Sequence, residues 1–149
     1  MPYQHTQYAP LHYIIAIVAA ILLAIAWLAQ VPEVVAYLLY GIAAFSIFLA
    51  FSFRSLSVSD KVDRLQISFG PLPIFSKSIP YTQITGVEPG KSNFIDGWGI
   101  HYVPGRGWTY NLWGYDCAVL RLNKKTIRIG TDDVENLVDF LNQKIKTPL

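Results

Sequence analysis

The basic residues of this chain are confined to one part of it. All twelve Lys and Arg residues lie after position 53, whereas residues 1–53 contain two long apolar runs and a single acidic residue, Glu33. The runs extend from Leu11 to Ala29 and from Val34 to Phe53. As helices they would measure about 28 and 30 Å, which is long enough to cross the hydrocarbon core of a bilayer. The sequence therefore predicts two transmembrane spans, at about 11–29 and 34–53, and a separate domain at 54–149.

The segment between the two runs determines how the chain is threaded. Gln30-Val31-Pro32-Glu33 is so short that it joins only the adjacent ends of antiparallel helices, and both chain ends are then on one side. Arg54 and Lys61 follow the second run, and basic residues beside a span mark its cytoplasmic end. We therefore expect a cytoplasmic N-terminus and a cytoplasmic domain. A cleaved signal peptide, the alternative for the first run, would begin with positively charged residues, and residues 1–12 contain no Lys or Arg.

Residues 54–149 have the pattern of a small α+β domain. Apolar and polar residues alternate in short segments bounded by Gly, Pro, Asn or Asp, which predicts about seven strands. These segments lie at 56–58, 65–69, 74–79, 84–87, 100–103, 120–122 and 127–129. The period then changes to that of one amphipathic helix, whose apolar face contains Val134, Leu137, Val138, Leu141 and Ile145. This order predicts an antiparallel bent sheet or barrel capped by a C-terminal helix, as in a pleckstrin-homology-like (PH-like) domain.

Several short motifs strengthen that expectation. Gly97-Trp98-Gly99-Ile100 is followed in order by Gly107-Trp108, Tyr110-Asn111-Leu112 and Arg128-Ile129-Gly130-Thr131-Asp132. In this order and spacing the chain resembles small bacterial two-helix membrane proteins with a cytoplasmic PH-like domain. The residue after Gly-Trp-Gly-Ile is usually Arg in that family, and here it is His101. The resemblance implies a fold and a bacterial inner-membrane location, and it implies no reaction or ligand.

Aromatic residues are concentrated between Phe94 and Tyr115, and glycines interrupt this stretch. Two interpretations stay open, since large rings are commonly buried in a core but also dominate contact surfaces. In the second interpretation Trp98, Trp108 and Trp113, with Arg106 beside them, form a rim that contacts the membrane interface or a partner subunit.

Basic residues suggest a second kind of contact. Lys124, Lys125 and Arg128 cluster around a predicted hairpin, and Arg54 directly follows the second span. Each would gain about 1 kcal/mol near an anionic leaflet. The alternative is an ordinary solvated hairpin. Twelve cations and nine anions give residues 54–149 a net charge of +3, which is too small for a nucleic-acid-binding surface.

Residues suited to catalysis or metal binding are few. His101, Tyr110 and Asp116 are the best available trio, but no nucleophile or phosphate-binding loop accompanies them. Cys117 is the only cysteine, and His5, which we expect in a loose N-terminal tail, has no second ligand at metal-binding spacing. We therefore expect no enzymatic activity, no metal and no cofactor.

Three functions remain compatible with the sequence. The first is a membrane-anchored interaction module that assembles with itself or with another membrane protein. The second is an accessory subunit of a larger energy-converting or transport complex. The third is a sensor of a lipid or small molecule, which would need a pocket among the aromatic residues.

Overall fold

The computed structural model describes residues 2–146. Strand β1 (Gln4–Tyr8) comes first and is followed by helices α1 (Leu11–Leu28) and α2 (Glu33–Ser52). The prediction of two long apolar helices is confirmed. Both helices are long and apolar enough to cross a membrane, and most of their side chains are exposed.

The rest of the chain forms an α+β domain, as predicted. It contains two open sheets, whereas one bent sheet or barrel was expected. The first sheet has the order β1-β2-β3-β4 and the second the order β5-β8-β9-β7-β6. The elements are β2 (Ser55–Lys61), β3 (Arg64–Gly70), β4 (Ser76–Pro80), β5 (Ile84–Lys91), β6 (Gly99–Val103), β7 (Gly107–Asn111), β8 (Asp116–Leu122), β9 (Lys125–Gly130) and helix α3 (Val134–Lys146). All paired strands are antiparallel except β7 and β9.

The two apolar helices pack on each other through small residues. Ala19 and Ala26 of α1 and Ala43 and Ala50 of α2 are the alanines buried in the pair. Small side chains let two backbones approach closely and gain dispersion contacts that lipid does not supply. Most of the bulky side chains of both helices are exposed, so the outside of the pair is largely apolar.

The N-terminal residues belong to the folded domain, so the expectation of a loose tail is wrong. β1 pairs along its whole length with β2, and His5 lies opposite Val58. His5 also contacts Asp132 at 2.5 Å, and the Tyr3 hydroxyl donates to Asp133 at 2.9 Å. The chain therefore leaves the domain through α1 and returns to it through α2. This pairing places the segments before and after the helical hairpin on the same side of it.

The core lies between the two sheets and α3. Alternate residues of β2 and β3 point inward, and the second sheet contributes apolar side chains from the opposite side. Fully buried members include Leu56, Leu65, Ile67, Phe69, Leu120, Ile127, Ile129, Leu137 and Leu141. Helix α3 buries the face predicted from its spacing, with Leu137, Val138 and Leu141 inward. Residues 2–146 form nine strands where about seven were predicted, and the two additional strands are β1 and β7. The two sheets do not close into a barrel.

Candidate interaction surface

The domain is attached to helix α2 without a linker. Phe53, the residue at the end of α2, packs against Phe69 with ring centroids 4.8 Å apart and against Phe75 at 5.2 Å. The backbone N–H of Arg54 donates to the carbonyl of Gly70 at 3.1 Å, and β2 begins at the next residue. These contacts fix the orientation of the domain relative to the helical hairpin.

Strand β6 lies beside this junction. Gly99, its first residue, has positive φ, and a Cβ there would lie 3.8 Å from the Phe53 ring. The preceding residue, Trp98, stacks on Trp113 with centroids 4.2 Å apart. The carbonyl of Trp113 accepts a hydrogen bond from the side chain of Gln7 in β1. The start of β6 is therefore held against both the first sheet and the end of α2.

A second aromatic pair lies further along the same hairpin. Tyr102 of β6 faces Trp108 of β7 across the strand pair, with ring centroids 5.4 Å apart. Tyr102 is 60% exposed, Trp108 is 40% exposed and Trp98 is 39% exposed. We call these three residues the β6 aromatic surface. β6 is the edge strand of its sheet, so its outer backbone edge is not paired with another strand among residues 2–146.

The two interpretations of the aromatic stretch each describe part of it. Trp113 packs against the core, together with buried Tyr110 and Leu112. Trp98 and Trp108 remain substantially exposed, as the rim hypothesis expects. The exposed group includes Tyr102, which the rim hypothesis did not contain.

Arg106, which the rim hypothesis included, is held by an ion pair within the domain. Its guanidinium forms two parallel hydrogen bonds to the Asp96 carboxylate, at 2.8 and 2.6 Å. Asp96 is fully buried and also accepts from the backbone N–H of Asn93. The Arg106 hydrogen bonds hold the pKa of Asp96 below its ordinary value, although burial acts in the opposite direction. This ion pair ties the segment between β5 and β6 to the β6–β7 turn.

The four candidate lipid-binding cations do not form one patch. Arg54 is exposed at the end of α2, whereas Lys124 and Lys125 are exposed at the β8–β9 turn, beside the start of β5. The side chain of Arg128 is directed to the carbonyl of Arg106. Of the four, only Arg54 lies next to an apolar helix.

The catalytic trio considered from the sequence is not assembled. His101 is exposed, and its ring contacts the carbonyl of Trp98. Tyr110 is buried in the core, and Asp116 pairs with Lys91 at 3.0 Å. Within residues 2–146 there is no group of three His, Cys, Asp or Glu side chains that could hold a metal ion.

One feature was missed by sequence reasoning. An open cleft of about 590 Å³ lies where the start of α3 meets the ends of β5 and β8. Its lining includes Asp116, Asp132, Asp133 and Glu135, together with Lys91. Lys91 forms an ion pair with Asp116 at 3.0 Å, and the His5 ring contacts Asp132 at 2.5 Å. The residues come from three distant segments, so no local sequence signal marks them.

Comparisons with known proteins add no assignment. No protein-family model matches this chain, and no curated protein matches it.

Proposed function

We propose that this chain is a non-enzymatic, membrane-anchored module that assembles with itself or with another membrane protein through a PH-like domain. The two apolar helices are the anchor, and the domain lies at the cytoplasmic face of a bacterial inner membrane. The supports are the apolar exterior of the hairpin, the acidic Glu33 in its short connection and the basic Arg54 at its other end.

The PH-like assignment is supported by the order of the elements. A four-stranded antiparallel meander is followed by a second sheet, and a single amphipathic helix ends the domain. That helix packs on β5 and β8 and covers one end of the core. A fold of this kind supplies a rigid scaffold for contacts, and fold alone does not supply a ligand.

The observation that carries the proposal is the β6 aromatic surface. Trp98, Tyr102 and Trp108 are exposed on the β6–β7 hairpin, whose first strand begins beside the end of α2. Exposed Trp and Tyr residues are typical of the energetic centre of protein contacts. A domain tethered to the membrane meets other membrane proteins at high effective concentration, so a small surface is sufficient for assembly.

Native mass spectrometry of the particle extracted from its own membrane in mild detergent tests the proposal. We expect either multiples of this chain or a fixed ratio of it to other polypeptides. The second result would make the chain an accessory subunit and identify the complex it serves. The double variant Tyr102→Ala/Trp108→Ala should release the single chain, with affinity reduced about 30-fold or more if the pair is a hot spot.

A matched control removes two exposed aromatic rings elsewhere. Phe94 is 91% exposed and Tyr115 is 52% exposed, and neither belongs to the β6 aromatic surface. The variant Phe94→Ala/Tyr115→Ala should keep the wild-type particle mass. Cys117 reports folding in all variants, because it is fully buried and its pKa is raised to about 11 by burial, so it resists alkylation in the folded domain. An unchanged mass for the Tyr102/Trp108 variant with Cys117 still protected would contradict the proposal.

A further inference from the structure

The loop between β3 and β4 is unusually apolar for an exposed connection. It reads Gly70-Pro71-Leu72-Pro73-Ile74-Phe75 and contains no polar side chain. Leu72 is 40% exposed and Ile74 is 61% exposed. Surface loops ordinarily carry polar residues, and grouped exposed apolar side chains mark a contact with protein or membrane.

The position of this loop indicates which contact it makes. It begins at Gly70, whose carbonyl accepts the hydrogen bond from the N–H of Arg54, one residue beyond Phe53 at the end of α2. It ends at Phe75, whose ring stacks on Phe53. Both ends of the loop are therefore fastened to the point at which the apolar helix enters the domain.

The loop is held in a defined shape with its apolar tip outward. The N–H of Phe69 donates to the carbonyl of Phe75 at 2.9 Å and closes the base of the loop. The N–H of Ile74 donates to the carbonyl of Leu72 at 2.8 Å and closes its tip. Phe75 turns inward to Phe53, whereas Leu72 and Ile74 remain exposed.

Two cations lie next to the ends of the loop. The backbone of Arg54 is hydrogen-bonded to Gly70, and Lys77 follows Phe75 by two residues. Among the ion pairs formed within residues 2–146, none includes Arg54 or Lys77. An apolar loop with a cation next to each of its ends fits a bilayer interface with anionic headgroups, where the apolar atoms leave water and the cations meet phosphate.

We infer that the β3–β4 loop inserts Leu72 and Ile74 into the bilayer interface beside α2, with Arg54 and Lys77 at the headgroups. The loop is then a third membrane contact in addition to the two helices, and it sets the tilt of the domain over the membrane. This inference rests on the membrane anchorage proposed above. It concerns a surface distinct from the β6 aromatic surface.

Site-specific fluorescence in lipid tests the inference. The full chain carrying Cys117→Ala receives a single cysteine at Leu72 or Ile74, is labelled with an environment-sensitive NBD probe and is reconstituted into vesicles of phosphatidylethanolamine and phosphatidylglycerol. We expect blue-shifted emission and loss of fluorescence when a fraction of the lipid carries a doxyl quencher. Val62→Cys is the matched control, since Val62 is an exposed apolar residue at the opposite end of β3, in the β2–β3 turn.

A probe in the helix separates the two ways in which the inference can fail. Ile42 is 52% exposed in the middle of α2, and Ile42→Cys should be quenched by doxyl lipid. Quenching at Ile42 but water-like emission at both loop positions, as at Val62, would overturn the loop insertion and leave the anchorage intact. Absence of quenching at Ile42 as well would overturn both. Quenching at Leu72, Ile74 and Ile42, and not at Val62, is the result we expect.

Discussion

Asp96 and Arg106 decide the shape of the segment that crosses from β5 to β6. The carboxylate is fully buried, and its two hydrogen bonds to Arg106 are its main compensation for leaving water. Asp96→Asn removes that charge and leaves the Arg106 guanidinium without its counterion. We expect the free energy of unfolding to fall by about 3 kcal/mol, the low end for a broken buried pair because Arg106 is one-third exposed. Urea unfolding in detergent, followed by tryptophan fluorescence, measures the loss.

The same pair gives the fold a pH dependence of known sign. The pKa of Asp96 is lower in the folded chain than its ordinary value of about 3.9, chiefly through the Arg106 hydrogen bonds. A lowered folded pKa contributes stability that is fully present above the ordinary value and is lost as the pH falls through the folded value. The stability difference between the wild type and Asp96→Asn should therefore be constant from pH 7 to 5 and shrink below pH 4. A difference that stays constant down to pH 2 would mean that the carboxylate charge is not what stabilises the segment.

Val62 is the residue whose backbone suits it least. It lies in the two-residue turn between β2 and β3 with φ of +58°, a conformation that β-branched residues rarely adopt. The left-handed region costs such a residue about 1–2 kcal/mol, whereas glycine adopts it freely. Glycine also loses more conformational entropy on folding, which offsets part of this gain. Val62→Gly should therefore raise the free energy of unfolding by up to about 1 kcal/mol. Thermal unfolding in the same detergent gives the midpoint temperature of each protein. A lower midpoint for the glycine variant would contradict the proposed backbone strain at Val62.

Strand β1 shows how an element before the helical hairpin completes the domain after it. It covers the edge of β2, and the side chains of His5 and of the preceding Tyr3 reach Asp132 and Asp133, just before α3. Deletion of residues 2–8 should lower the hydrogen-exchange protection of β2 and of the first turn of α3, while protection of the β8–β9 pair changes little. The milder variant Tyr3→Phe removes only the hydrogen bond to Asp133 and should reduce stability by about 1 kcal/mol. Equal protection of β2 with and without residues 2–8 would contradict this role.

The elements that the sequence predicted are those whose pattern is local. Alternation located strands such as β3, and a helical period located the buried face of α3, because each of these elements has one face in the core. β1 was missed because Gln4-His5-Thr6-Gln7-Tyr8 is mostly polar and its partner strand is separated from it by the whole helical hairpin.

β7 was missed for a different reason. In the sequence Gly107 looks like a turn residue. In the structure it lets β7 approach β9 closely, since a Cβ at Gly107 would lie 2.1 Å from the carbonyl oxygen of Thr126. The neighbouring Thr109 and Asn111 are polar but buried. The candidate surface was predicted in part: Trp98 and Trp108 are exposed as the rim hypothesis required, whereas the ion pair that occupies Arg106 joins residues ten positions apart and has no sequence pattern.

The molecule as a whole is a folded domain with a helical hairpin inserted between its first two strands. β1 and β2 are paired, and the chain continues from Phe53 at the end of α2 into β2 through Arg54 alone. Motion of the hairpin is therefore transmitted to the sheet, in contrast to a domain on a flexible linker. A surface held in this way, such as the β6 aromatic surface, has a fixed direction relative to the helices, as the proposed contact with another membrane protein requires.

The threading of the chain is the last prediction. If basic residues set the orientation, the connection between α1 and α2 lies outside the cytoplasm and the domain lies inside it. In a Cys117→Ala background, Ala29→Cys should react with a membrane-impermeant maleimide in spheroplasts, whereas Val62→Cys should react only after permeabilisation. Both positions are exposed in the folded chain, so access to the reagent and not burial decides the result. The reverse pattern would place the domain outside the cytoplasm, and Arg54 and Lys77 could then not contact the cytoplasmic leaflet.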